Sequence, residues 1–133
     1  MCGRITLTSS ASEVAAQFEV ADVPSLPARY NIAPSQEIVT VRMAREGLRE
    51  ISLERWGLVP HWAKDPAIGN RMVNARCETL ESKAAFRDAV RRRRCIVPAS
   101  GFYEWSGSGT SRRPYVFRMQ SGALLGIAGL YER

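Results

Sequence analysis

The chain has 133 residues, of which 45% are hydrophobic and 24% charged, a balance that predicts one globular domain and excludes a disordered segment. No run of about 18 apolar residues occurs, which excludes a hydrophobic membrane span, and the start Met1–Arg4 lacks a signal-peptide pattern, so we expect a cytoplasmic protein. Three cysteines and a single histidine, without a CxxC pair, predict no metal site.

The first half of the chain predicts a helix followed by a β-hairpin. Residues 10–20 have helical spacing of apolar residues, and Ser10 and Glu13 have the spacing of a capping box. Glu37–Met43 and Leu48–Leu58 are rich in strand-forming residues and are separated by a turn at Gly47. We therefore expect these two strands to pair antiparallel.

The middle of the chain predicts irregular structure and then a second helix. Val59–Asn70 contains two prolines and a glycine, which is typical of a loop. Met72–Glu78 is predicted to be extended. Glu81–Arg92 is predicted to be a helix whose buried stripe carries Phe86, Ala89 and Val90.

The last third of the chain predicts strands. Cys95–Trp105 is predicted to be one strand, in which Gly101 marks a bulge or a close backbone approach. Pro114–Met119 and Ala123–Tyr131 are predicted to form a hairpin through Ser121-Gly122. The whole pattern predicts an α+β fold with a mostly antiparallel sheet and two helices.

The net charge of +6 is concentrated in two arginine runs, Arg91–Arg94 and Arg112-Arg113. A concentrated positive field favours a polyanion such as nucleic acid. Basic side chains also favour the C-terminal end of a helix, where Arg91–Arg94 is predicted to lie. Both interpretations of that run stay open.

Cys2 has unusual chemistry if Met1 is removed. Its α-amine and thiol both ordinarily titrate close to neutrality. An aldehyde would condense with the amine to an imine, and the thiol would then close a thiazolidine ring. A free N-terminal cysteine can alternatively act as the nucleophile of an amide hydrolase. A third interpretation is that a cysteine at this position is incidental.

Five short motifs set Cys2 in a wider pattern. In order and spacing they closely resemble the SRAP family, the SOS response-associated peptidases, also called abasic-site processing proteins. The resemblance covers nearly the whole chain, and five motifs in register are more specific than any one of them. They are Met1–Arg4, Arg29–Pro34, Arg55–Ala63, Asn74–Thr79 and Pro98–Trp105.

The resemblance implies three catalytic residues. Cys2 would crosslink to the ring-opened aldehyde of an abasic site in single-stranded DNA. Asn74 would orient the sugar near the reacting centre. Glu104 would act as a general acid and base during imine formation, a role that suits a carboxylate beside an amine. A structural ion pair is the alternative interpretation of Glu104.

The resemblance also implies a DNA-binding surface and no cofactor. Arg4 and Arg76 would hold phosphates, which gives affinity independent of base sequence. Trp62 and Pro34 would offer apolar surfaces to bases. The partner would be single-stranded DNA containing abasic sites, and the protein would associate with the nucleoid after damage.

Other aromatic residues and the histidine have plainer interpretations. Trp56 and Trp105 are expected in the core or at its rim. His61 stands where the family usually has a small residue, which predicts a surface-loop histidine. Trp62 lies in the same proline-flanked loop, and base stacking and a structural role are equally good interpretations of it.

The family's domain continues past Arg133 with a His-Arg-Met-Pro motif that nothing in this chain matches. Residues 1–133 would therefore be an SRAP-like domain equivalent to the N-terminal portion of a barrel-like family fold, truncated at its C-terminus. Two further hypotheses are a thiol peptidase or autopeptidase that uses Cys2, and an inactive remnant that binds single-stranded DNA.

Overall fold

A computed structural model describes residues 3–44 and 47–132 of the chain. Within these ranges it contains two α-helices, eight β-strands and three short 3₁₀ turns. The helices are α1 (Ala11–Phe18) and α2 (Ala84–Arg92). The strands are β1 (Ile5–Leu7), β2 (Arg29–Ile32), β3 (Glu37–Met43), β4 (Arg49–Arg55), β5 (Arg94–Ala99), β6 (Gly101–Ser106), β7 (Arg113–Phe117) and β8 (Leu125–Leu130).

The strands form two antiparallel four-stranded sheets. The strand order is β2-β1-β6-β7 in sheet A and β4-β3-β5-β8 in sheet B. The predicted α+β class with antiparallel strands and two helices is confirmed. The expected barrel-like closure is not found among the described residues, because the strands divide between two separate sheets.

One hydrophobic cluster joins the two sheets and α1. Sheet A contributes residues from β1 and β2, sheet B contributes residues from β3 and β5, and α1 contributes Val14, which is completely buried. Burial of such apolar surface is the main force that holds the layers together. Its buried members are Ile5, Leu7, Val14, Ile32, Ile38, Val39, Val97, Ala99 and Leu124.

The two local predictions in the first half of the chain are confirmed. The Glu13 backbone N–H donates to Ser10 Oγ, and the Ser10 N–H donates to Glu13 Oε2, which is the predicted capping box. Strands β3 and β4 pair in continuous register from Glu37–Arg55 to Met43–Arg49. The second strand is shorter than predicted, because it ends at Arg55.

The prediction of a single strand over Cys95–Trp105 is wrong. The segment is two strands in different sheets: β5 pairs with β3 and β8, and β6 pairs with β1 and β7. The change occurs at Ser100, whose Oγ accepts hydrogen bonds from the Thr8 and Ser9 N–H groups at 2.9 and 3.3 Å. Gly101 is a close backbone approach, as predicted, since an added Cβ would lie 2.7 Å from the Phe117 carbonyl oxygen.

The predicted C-terminal hairpin is also wrong. Strand β7 pairs with β6 in sheet A, whereas β8 pairs with β5 in sheet B. The turn at Gly122 therefore connects strands of two sheets. Both strands find longer-range partners that the local turn pattern does not reveal.

The segment between β4 and α2 is more ordered than predicted. The expected loop Val59–Asn70 ends in a 3₁₀ turn over Pro66–Arg71, and the expected extended segment Met72–Glu78 runs into another over Cys77–Thr79. Helix α2 begins at Ala84 and buries Phe86 and Ala89. No helix within the described ranges is long and apolar enough to cross a membrane.

Candidate functional site

Cys2 lies outside the described residues, and Arg4 is the candidate that stands nearest to it in the chain. Arg4 precedes β1, and its carbonyl oxygen accepts a hydrogen bond from the Tyr103 N–H at 2.9 Å. The Arg4 guanidinium donates to Asn31 Oδ1 at 2.8 Å. Arg4 is thereby held between β2 and β6, and its guanidinium has a defined direction.

Glu104 lies in β6, directly after the residue that binds the Arg4 backbone. It is half-buried and opposite Tyr115 of β7. Phe102, two residues earlier, pairs with Ile5 of β1. Sheet A therefore brings Glu104 and Arg4, which are 100 positions apart in the sequence, to the same end of β1.

Asn74 and Arg76 lie on an exposed segment between two 3₁₀ turns. The segment is held to the end of β4 by two hydrogen bonds. Leu58 N–H donates to the Met72 carbonyl at 3.1 Å, and Trp56 Nε1–H donates to the Val73 carbonyl at 2.9 Å. The Arg76 carbonyl accepts from the Thr79 N–H at 3.1 Å and so begins the second turn.

Pro34 and Trp62 lie on two loops that β4 borders. Pro34 is half-buried in the turn between β2 and β3, where the Ser35 N–H donates to the Trp56 carbonyl at 2.8 Å. Trp62 is 52% exposed and lies within a turn closed by the Ala63 N–H, which donates to the Pro60 carbonyl. An exposed indole on an anchored loop can stack on a flat ring.

The remaining aromatic and histidine predictions agree with the structure. Trp56 is half-buried and packs against the hydrophobic cluster, and Trp105 is a rim residue on β6. His61 is a surface-loop residue, and its Nδ1 lies 3.8 Å from Glu132 Oε2.

The arginine run Arg91–Arg94 divides into two environments. Arg91 and Arg92 are exposed in the last turn of α2, where positive charge is favourable for the helix. Arg93 instead pairs with Glu132, with 2.8 Å between Arg93 Nε and Glu132 Oε1. Helix-end and ion-pair geometry therefore explains most of this run without a ligand.

The two described cysteines differ in reactivity. Cys95 is buried in β5, and burial raises the pKa of its thiol from the ordinary 9.0 to about 11. The thiolate is the nucleophilic form, so Cys95 is unreactive near neutral pH. Cys77 is exposed and follows Arg76 directly. In the portion of the chain that the structure describes, no group of three or more metal-ligating side chains is found.

Two residues near the candidates were not predicted from the sequence to belong to the site. Asn31 orients the Arg4 guanidinium, and Trp56 holds the segment that carries Asn74. Both stand inside motifs that the family resemblance depends on. Their hydrogen bonds join segments that are far apart in the sequence, so no local pattern predicts these contacts. Their position inside the family motifs was the only sign in the sequence that they belong to the site.

The chain is similar to proteins of known family. Residues 1–133 match the profile of the family described as SOS response associated peptidase (SRAP). The chain is 42% identical to abasic site processing protein YoaM of Bacillus subtilis, over all of this chain and 60% of that protein. It is 26% identical to abasic site processing protein YedK of Escherichia coli, over 98% of this chain and 59% of that protein.

Two solved structures have a similar fold. A protein of Bordetella bronchiseptica superimposes with a TM-score of 0.81 at 27% identity, over 97% of this chain and 63% of that chain. A protein of Bacteroides thetaiotaomicron has the same fold, with a TM-score of 0.82 at 23% identity. The chain spans about three-fifths of the length of the curated relatives. Because the family profile matches residues 1–133, the chain belongs to the SRAP family.

Proposed function

We propose that the protein recognises abasic sites in single-stranded DNA and binds them covalently through Cys2 after Met1 is removed. The observation that carries the proposal is the similarity, at 42% identity over the whole chain, to proteins named abasic site processing proteins. The net charge of +6 supports a polyanionic partner. DNA-damage processing in the cytoplasm, at the nucleoid, would follow from this partner.

The proposed bond formation is a condensation that releases one water. The Cys2 amine adds to the aldehyde carbon of the ring-opened sugar, and the resulting carbinolamine loses hydroxide and a proton as water to give an imine. The Cys2 sulfur then bonds to the imine carbon, while the thiol proton ends on the nitrogen. The product is a thiazolidine that links protein and DNA without an oxidant or a cofactor.

The site residues are proposed to share this work. Glu104 moves the protons that carbinolamine dehydration requires. Asn74 hydrogen-bonds to the sugar, while Arg4 and Arg76 bind phosphates. The half-buried position of Glu104 next to the backbone contact of Arg4 supports these roles.

Pro34 and Trp62 are proposed to contact the bases that flank the lesion. Each lies in a turn closed by a backbone hydrogen bond, from the Gln36 N–H to the Ala33 carbonyl at 3.2 Å and from the Ala63 N–H to the Pro60 carbonyl at 2.8 Å. Stacking on an aromatic face accepts any base, which suits a lesion in an arbitrary sequence.

The decisive experiment mixes the protein with a labelled single strand that carries one abasic site. We expect a band that survives heat and detergent, and its loss in Cys2→Ala. The matched control is Cys77→Ala, which removes an exposed thiol without an α-amine and should retain the band. Equal crosslinking by Cys2→Ala would refute the mechanism.

A peptidase is the second candidate, because the family's own description contains that activity. It would use the same Cys2, but a cysteine hydrolase ordinarily needs a histidine base. The only histidine, His61, has its Nδ1 3.8 Å from Glu132 Oε2. Mass measurement of a peptide substrate over time, beside the DNA assay, separates the two activities. Salt-sensitive DNA binding without either product would instead identify an inactive remnant.

A further inference from the structure

The end of β4 contacts both loops that border the candidate site. The Trp56 N–H donates to the Gln36 carbonyl, and the Trp56 carbonyl accepts from the Ser35 N–H, each at 2.8 Å. Trp56 also packs against the hydrophobic cluster. Its indole Nε1–H donates to the Val73 carbonyl at 2.9 Å. One residue thus joins the core, the Pro34 turn and the segment that carries Asn74.

The indole bond acts on Asn74 through the geometry of the peptide group. The Val73 carbonyl and the Asn74 N–H belong to one planar unit with little freedom to twist. Holding the carbonyl oxygen therefore fixes the plane from which the Asn74 side chain departs. The Leu58 N–H bond to the Met72 carbonyl, at 3.1 Å, holds the preceding peptide group in the same way.

The segment that carries Asn74 and Arg76 is held by contacts of its backbone rather than by regular secondary structure. Both are exposed, and neither lies in a strand or an α-helix. Exposed irregular segments are ordinarily the more mobile parts of a protein. Trp56 and Leu58 supply backbone anchors just before Asn74, from a strand end that is packed on the core.

We propose that Trp56 is a positioning residue for the abasic-site reaction: its indole N–H holds the Val73–Asn74 peptide group and thereby sets the placement of Asn74 and Arg76. The inference rests on the proposed function. A catalytic group misplaced by a lost support commonly loses about ten- to a hundred-fold in rate. We therefore expect a clear kinetic effect from one hydrogen bond.

The first test is Trp56→Phe, which removes the N–H donor and keeps an aromatic ring. We expect the crosslinking rate to fall about ten-fold. The same change is then made in an Asn74→Ala/Arg76→Ala background. If Trp56 acts through these two residues, Trp56→Phe lowers the rate much less in that background. An equal drop in both backgrounds would show a general structural effect and overturn the proposal.

The second test needs no DNA and so separates this inference from the proposed function. Arg71 and Arg76 are exposed trypsin sites on the anchored segment. Trp56→Phe should raise the initial rate of cleavage at both sites relative to Arg118, an exposed site directly after β7. The matched control, Trp105→Phe, should leave that ratio unchanged. Unchanged cleavage in Trp56→Phe would contradict the anchor whether or not the protein crosslinks.

A second variant covers the case in which Trp56→Phe does not fold. Site-specific incorporation of benzothienylalanine at position 56 keeps the bicyclic shape and replaces the N–H by sulfur. We expect faster cleavage at Arg71 and Arg76 and slower crosslinking, with melting close to that of the unmodified protein. Cleavage and crosslinking equal to those of tryptophan would overturn the role of the N–H.

Discussion

Replacing Gly57 by alanine tests how closely the end of β4 approaches the segment that leads to Asn74. Gly57 has a φ of +128°, a conformation open in practice to glycine alone. An added Cβ would lie 2.5 Å from the Gly69 carbonyl oxygen and 3.0 Å from its carbon. These neighbours are backbone atoms, so the clash can be relieved only by moving the chain.

The expected cost has two parts. A non-glycine residue held at such a φ costs about 1–3 kcal/mol, and overpacking against backbone adds about 1–3 kcal/mol. We expect the free energy of unfolding to fall by about 4 kcal/mol. For a chain of this size that corresponds to a melting temperature lower by about 10–20 °C.

The control is Gly122→Ala, which separates strain from contact. Gly122 also has a positive φ, +79°, but nothing lies within 4 Å of its added Cβ. We expect it to cost only about 1–2 kcal/mol, from backbone strain alone. Urea unfolding followed by circular dichroism measures both variants. If the two unfolding free energies agree within about 1 kcal/mol, the close approach of Gly57 and Gly69 does not exist.

Two other predictions concern sheet B. Arg42→Met should lower the free energy of unfolding by about 2 kcal/mol, because it leaves the 23%-exposed Glu54 carboxylate without the guanidinium 3.0 Å away. Arg49→Met, whose partner carboxylate is 75% exposed, should cost under about 0.5 kcal/mol in the same urea titration, and equal costs would contradict this account. For Cys95, the folded pKa of about 11 exceeds the ordinary 9.0, so the unfolded chain loses its thiol proton first and stability falls as the pH rises from 9 to 11. The free energy of unfolding should therefore fall more steeply with pH in wild type than in Cys95→Ala. Equal slopes in the two proteins would refute the buried thiol.

The local elements of this fold were predictable from the sequence. The α1 capping box depends on Ser10 and Glu13, three residues apart. The β3–β4 hairpin depends on two strands that a short turn joins. In both cases the partners are neighbours in the chain, so the pattern contains the whole interaction.

The strands of the second half were predicted as strands but given wrong partners. β7 and β8 follow one another in the chain with a turn between them, which is the pattern of a hairpin. Each pairs instead with a strand that precedes both of them. Partner choice depends on which sheet has an open edge and an apolar face to cover, and no local window of sequence contains that information.

The candidate site was predictable in its residue types and not in its geometry. The motifs predicted Arg4, Asn74 and Glu104 as site residues. The hydrogen bonds at Arg4 and beside Asn74 come from residues for which the sequence suggested no part in the site. Asn31 holds the Arg4 guanidinium, and Trp56 holds the peptide group of Asn74. A tryptophan at a strand end is read as core from sequence, because its N–H bond to a residue 17 positions away is invisible there.

The wrong prediction at Ser100 and the assembly of the site have the same cause. Had Cys95–Trp105 been one strand, Glu104 would extend sheet B beside β3 and β8. The change of sheet at Ser100 instead places β6 beside β1, where the Tyr103 N–H meets the Arg4 carbonyl. Ser100 secures this change by binding the Thr6 carbonyl with its N–H and the Thr8 N–H with its Oγ. The proximity of Glu104 to Arg4 therefore depends on a long-range crossover, and the local strand pattern around Gly101 does not predict it.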